Sequence, residues 1–162
     1  MALHIISADE RMAHRPKVNI ALFGPSGVGK TYQALTLDPE KTLFLDLEAG
    51  TLSIQDWKGD VIDIRAESAK LGVHPWEFAR ALVCLLGGPD PSAPGPDPYS
   101  AAMFGEYEKA IAPASTFDKY DTIFIDSITV ASRMAFSWSK TQPEAFSEKT
   151  GKHVFSSWPS AM

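Results

Sequence analysis

Cysteine is almost missing from this chain: Cys84 is the only one in 162 residues. No internal disulfide and no thiolate metal centre can therefore be assembled, and a reducing compartment suits the sequence. Cys84 itself reads as a small core residue. Also missing is any apolar run near the roughly 20 residues that a membrane span requires. Met1-Ala2-Leu3-His4-Ile5-Ile6 has no charged start ahead of a long apolar stretch. No secretion signal is expected, and the expected location is cytoplasmic. Basic residues are too few for a broad cationic face. Lys and Arg number 15 against 20 Asp and Glu, for a net charge of −5. That balance weighs against a wide nucleic-acid surface but leaves room for a local basic groove. There is no internal repeat. What remains is one ordinary domain's length with 44% hydrophobic residues, ample for a core.

Against these absences stands one complete motif. Gly24-Pro25-Ser26-Gly27-Val28-Gly29-Lys30-Thr31 fits the pattern GxxxxGK[ST], which names a ligand class, the triphosphate tail of a nucleotide. Val18-Asn19-Ile20-Ala21-Leu22-Phe23 leads into it and predicts a buried strand. Lys30-Thr31-Tyr32-Gln33-Ala34-Leu35 leads out and predicts a helix. Strand, loop and helix in that order aim backbone N–H groups at an anion. The glycines let the chain curl and approach closely, Lys30 supplies a mobile charge for the β- and γ-phosphates, and the Thr31 hydroxyl is a hard oxygen for Mg²⁺. The expected nucleotide contacts run from Gly24 through Tyr32. Tyr32 and Trp57 are also candidates to stack on a base, though packing is the commoner use of such rings.

Further along, residues 1–16 read as an extension with a short strand at His4–Ser7, and residues 17–162 as the domain. Strands are predicted at Lys41–Asp46, Val61–Arg65 and Thr122–Asp126, and helices at Pro75–Leu86, Ala101–Ala112 and Ile128–Lys140. Residues 87–98, Gly-Gly-Pro-Asp-Pro-Ser-Ala-Pro-Gly-Pro-Asp-Pro, read as an exposed loop. Strands alternating with helices predict an α/β fold with a mostly parallel sheet and helices on both faces.

Three further acids stand at strand ends. Asp126 ends an apolar strand, where open parallel sheets bind ligands, and a carboxylate there suits Mg²⁺. It could instead cap the following helix, with Ser127 competing for that cap. Asp46 and Glu48 follow the second strand. A carboxylate not neutralised by metal can orient an attacking water. Glu48 is the candidate, with Asp46 in support; either acid could instead cap the turn Ala49-Gly50-Thr51. His74 and His153 lack metal-spaced partners, and Lys149, Lys152 and His153 read as a solvated tail.

These three motifs together resemble the core of RecA-type P-loop ATPases, and more narrowly the phage-encoded RecA-like proteins of single-strand DNA recombination and annealing. The loop Gly24–Thr31 is shared, Asp46, Glu48 and Gly50 match an acidic D-x-E-x-G, and Asp126-Ser127 match the D-S that ends the metal strand. The resemblance spans about Val18 to Arg133. It implies that Glu48 is the catalytic glutamate, that ATP and Mg²⁺ are the cofactors, and that subunits form homo-oligomers in which a neighbour's basic residue completes the site. Single-stranded DNA is implied as a partner by resemblance alone.

Other classes fit less well. An AAA+ ATPase usually ends this strand in Asp-Glu, where this chain has Asp126-Ser127. No Asn-Lys-x-Asp guanine motif and no Leu-Ser-Gly-Gly signature occur. The five arginines do not cluster into the lid of a small-molecule kinase. A non-hydrolysing, nucleotide-gated assembly module and a small-molecule phosphotransferase stay as alternatives. RecA-like sheets place one further strand between the loop strand and the Asp126 strand. Its only candidate here is a poor one, His153–Ser156, so the sequence predicts a core that is C-terminally truncated or borrows a strand.

Overall fold

The computed structural model describes residues 18–152. Contacts divide the chain into two compact units, one up to Lys30 and one from Thr31 onward. The second carries the sheet. Its strands are β1 (Thr42–Asp46), β2 (Asp60–Asp63) and β3 (Thr122–Asp126), all parallel, in the order β2-β1-β3. Every residue of the central strand β1 is buried, as a strand covered on both faces requires. Registry sets Phe44 against Phe124 and Asp46 against Asp126.

The two faces differ. Leu43, Leu45 and Ile64 join Phe78 and Leu82 of α2 (Pro75–Gly87) and Val130, Ala131 and Met134 of α4 (Ile128–Ser139) in the larger core. On the other face Phe44 packs with Ala34 and Ile54, with Trp57 and Phe124 at the margin. The layers there are 3-10 turns, Thr31–Thr36 and Thr51–Ile54, rather than α-helices. The helix expected after the glycine loop is the first of these turns. Two helices lie beside α2: α1 (Ile64–Leu71) and α3 (Ala101–Ala110).

Local chemistry explains the boundaries. His74 caps α2: its Nδ1 accepts from the Trp76 N–H at 3.1 Å, and the Glu77 carboxylate accepts from the His74 N–H at 3.1 Å. Pro75 at the first helical position needs no N–H partner. Ser100 and Ser127 cap α3 and α4. Residues 88–100 form turns without helix or strand, close to the expected loop; Gly87 belongs to α2 instead. Cys84 is buried in α2, and burial pushes its thiol pKa up.

One expectation fails and another holds only in part. Residues 18–25 carry no strand, and Val18, Ile20 and Phe23 are 76%, 79% and 88% exposed. An apolar run is a strand only when a neighbour pairs its backbone, and the three-stranded sheet has no place occupied by this segment. The strand expected at Val61–Arg65 is β2, and it stops at Asp63. The Asp63 carboxylate accepts from the Ala66 N–H at 2.9 Å and starts α1 at Ile64, which takes Arg65 into the helix. The short alternation masked a helix N-terminus. The segments at His4–Ser7 and His153–Ser156 lie outside the described residues.

β2 is tied to the approach to β3 by Asp60, whose carboxylate accepts from Lys119 and from the Tyr120 hydroxyl, each at 2.6 Å. These bonds hold the Asp60 carboxyl below its usual range. A depressed folded pKa means stability present above the unfolded pKa and lost as pH falls through the folded one. Both partners are about half exposed, 55% for Lys119 and 53% for Asp60, so the effect is small. In urea unfolding, Asp60→Asn should therefore be slightly less stable than wild type at neutral pH, and the gap should begin to close only below about pH 4. A gap that widened in acid would contradict this account.

Candidate functional site

The C-terminal ends of β1 and β3 lie side by side because the strands are parallel and in register. Side chains alternate across a sheet, so Asp46 and Asp126 share the face of Phe44 and Phe124. Ala34, fully buried, packs on that same face. Residues three apart eclipse on a 3-10 turn, so seating Ala34 also delivers Thr31. The Thr31 hydroxyl donates to the Asp126 carboxylate at 2.5 Å. Asp126 is only 7% exposed and Thr31 half-buried.

Asp126 is available because Ser127 takes the helix cap. The Ser127 hydroxyl accepts from the Val130 N–H at 3.5 Å, which resolves the expected competition between them. The Asp126–Ser127 peptide is cis. The same hydroxyl donates to the Glu48 carboxylate. Glu48 is exposed at the surface of this edge.

Asp46 meets Glu48 through the backbone. One of its oxygens accepts from the N–H groups of Glu48 (3.0 Å), Ala49 (2.8 Å) and Gly50 (3.3 Å). Of the two acids, Asp46 is the one that caps the turn. Ala49 sits at φ 60, a left-handed conformation that costs a residue with a side chain about 1–2 kcal/mol. Two more bonds fasten this turn: Leu47 N–H to the Asp126 carbonyl at 2.7 Å, and Arg65 Nε–H to the Leu47 carbonyl at 3.1 Å. The roles of Arg65 and Ser127 were not foreseen. Arg65 had no local signal; Ser127 was visible in the D-S pair but read only as a cap.

Gly27 and Gly29 occupy left-handed conformations at φ 82 and 86, which explains glycine at both. A Cβ on Gly24 would come within 2.9 Å of the Val28 side chain. Lys30 Nζ donates to the carbonyls of Gly24 at 3.0 Å and Pro25 at 2.9 Å. Pro25, Ser26 and Val28 are exposed.

Of the candidate base-stacking rings, Tyr32 is 58% exposed. Trp57 is packed, its ring 6.2 Å from Phe44 and its Nε1–H directed to the Leu37 carbonyl at 3.5 Å. Gly59 lies so close that a Cβ there would meet the Trp57 ring at 2.2 Å. His74 is structural, the cap of α2. Lys149 and Lys152 are exposed, as a solvated tail would be.

A hydroxyl and a carboxylate oxygen side by side are the hard donors that Mg²⁺ accepts, so the residues present fit that ion. Among the described residues no group of three or more His, Cys, Asp or Glu side chains forms a metal cage. An ion held here would complete its shell with water and phosphate oxygens. No helix among the described residues is long and apolar enough to cross a membrane.

A parallel sheet with a glycine loop, and with a hydroxyl and a carboxylate paired at a strand end, defines a P-loop nucleotide-binding domain. Residues 16–162 match the family model described as "AAA domain", and the chain belongs to that family, whose members are usually ATPases. The missing Asp-Glu at the end of β3 weighed against an AAA label; Ser127 stands in a chain of that family nonetheless. No curated protein and no solved structure matches the chain.

The Asp46 cap gives a direct test. Asp46→Ala should destabilise the protein by about 2 kcal/mol, since it strips the acceptor from three N–H groups. Asp46→Asn keeps an acceptor oxygen and should recover at least half of that loss. Urea midpoints at unchanged m-value are the measurement; equal losses for Ala and Asn would disprove the cap.

Proposed function

We propose that this chain is a Mg²⁺-dependent ATPase of the RecA-like kind that cleaves the bond between the β- and γ-phosphates. The observation that carries the reading is the Thr31–Asp126 hydrogen bond, which joins the last residue of the phosphate-loop motif to the end of β3. The backbone N–H groups of Gly24 and of Ser26–Lys30, with the Lys30 ammonium, grip the phosphates. Thr31 and Asp126 hold Mg²⁺. The ion, when bound, neutralises charge on the phosphate oxygens. Glu48, exposed and one hydrogen bond away from Ser127 at the same edge, accepts a proton from the attacking water and aims it. Tyr32 lies next to the loop and is available to the nucleotide.

The biological setting we propose is phage DNA recombination or repair, through annealing or pairing of single strands in the host cytoplasm. It rests on the resemblance carried by Asp46, Glu48, Gly50, Asp126 and Ser127. The same resemblance supports a homo-oligomer whose neighbouring subunit contributes a basic residue.

ATP turnover with and without single-stranded DNA tests both levels. Glu48→Gln should lower kcat about a hundredfold or more while nucleotide binding persists. Lys30→Ala should weaken binding itself, and single-stranded DNA should stimulate the wild type. Wild-type turnover in Glu48→Gln would favour an assembly switch, and turnover requiring a small acceptor would favour phosphotransfer. If calorimetry found no heat of binding for ATP with Mg²⁺, the reading would fail altogether.

A further inference from the structure

We infer that Ser127 is a positioning residue for Glu48, one half of a two-point clamp that fixes a carboxylate which would otherwise swing freely. The inference rests on the reading of Glu48 as the group that orients the attacking water.

A glutamate side chain on an exposed turn has three rotatable bonds and loses much freedom when it is ordered. Orientation of a general base is worth little unless that freedom is removed before the reaction. Here the two ends of Glu48 are fixed by different groups. Its backbone N–H donates to Asp46 at 3.0 Å, and the next residue is set at φ 60. Its carboxylate accepts, through Oε1, from the Ser127 hydroxyl.

The hydroxyl of Ser127 is suited to this because it has one proton and two lone pairs. A lone pair faces the Val130 N–H at 3.5 Å, as the cap of α4. The proton is thereby left for Glu48. Ser127 engages Oε1 and leaves Oε2 to take a proton from water. An alanine would lose both functions, and a second carboxylate at this position would repel Glu48. The residue after Asp126 thus serves the acid of a neighbouring strand rather than acting on the nucleotide itself.

Steady-state ATP turnover with Mg²⁺ tests the inference in Ser127→Ala, Ser127→Gly and Ser127→Thr, each made in the wild type and in Glu48→Asp. The glycine variant removes the hydroxyl at little cost to the helix cap, so it carries the measurement if alanine fails to fold. In the wild-type background, loss of a hydrogen bond to a charged group should lower kcat roughly tenfold or more in the alanine and glycine variants, with KM for ATP within about twofold. Ser127→Thr keeps the hydroxyl and should restore most of the rate. In Glu48→Asp the shortened side chain no longer reaches Ser127, so removing the hydroxyl should cost little more. The inference is overturned if the alanine and glycine variants turn over at the wild-type rate, or if they lose the same factor in the Glu48→Asp background. Glu48→Gln separates the two levels. If it is inactive while the Ser127 variants are unaffected, only the clamp is wrong; if it turns over normally, the reading of Glu48 falls and the clamp with it.

Discussion

The register between β1 and β3 is the constraint from which the rest of the site follows. Asp46 opposite Asp126 places two carboxylates at one sheet edge and on one face. That register is locked by packing. Phe44 stacks on Phe124 with ring centroids 5.0 Å apart, while Leu43 and Leu45 are buried against α2 and α4 on the other side. A one-residue slip of β1 would turn its leucines toward the aromatic face and drive Asp46 into the helical core. Burying an unpaired carboxylate there is prohibitive, so the hydrophobic pattern of β1 and β3 also protects the polar edge.

Once the acids are placed, the edge is organised by a division of labour among polar groups that could have substituted for one another. Asp126, Ser127, Asp46 and Glu48 are all able to cap a turn or a helix. Ser127 takes the helix, which leaves Asp126 to Thr31; Asp46 takes the turn, which leaves the Glu48 side chain at the surface. Three N–H groups on a single Asp46 oxygen, with Ala49 left-handed, give a tight turn whose strain is offset by charge-assisted bonds.

Legibility in the sequence followed the range of each cause. β1, β3, α2 and α4 were readable because their apolar spacing and caps are local. Pro75 and the Asp126-Ser127 pair marked helix starts by their own chemistry. Asp63 carried an equally local cap, but the alternation of Ile62 and Ile64 concealed it. The helix α1 was missed for that reason. The Thr31–Asp126 contact spans 95 positions. The two ends of the motif pattern are each recognisable, but the bond between them is written in neither. The contact of Ser127 with Glu48 and that of Arg65 with the Leu47 carbonyl depend on how strands are placed, and no spacing in the chain announces them. Val18–Phe23 failed in the opposite way: its pattern is strongly strand-like, yet a strand is a property of two segments.

That last failure separates two kinds of order. The hydrogen bonds that hold Asp46, Glu48 and Asp126 come from Thr31, the 47–50 turn and Ser127. The acidic edge thus owes its geometry to its own sheet. The glycine loop keeps its curvature through Gly27 and Gly29 and through Lys30 bound to its own carbonyls. Neither requires Val18–Phe23 to be paired. The exposed Val18, Ile20 and Phe23 each forgo on the order of 1.5–3 kcal/mol of burial. That deficit falls on the stability of the first unit. Order in each unit is thus local: Gly27, Gly29 and Lys30 hold the loop, and Thr31, Ser127 and the 47–50 turn hold the acidic edge.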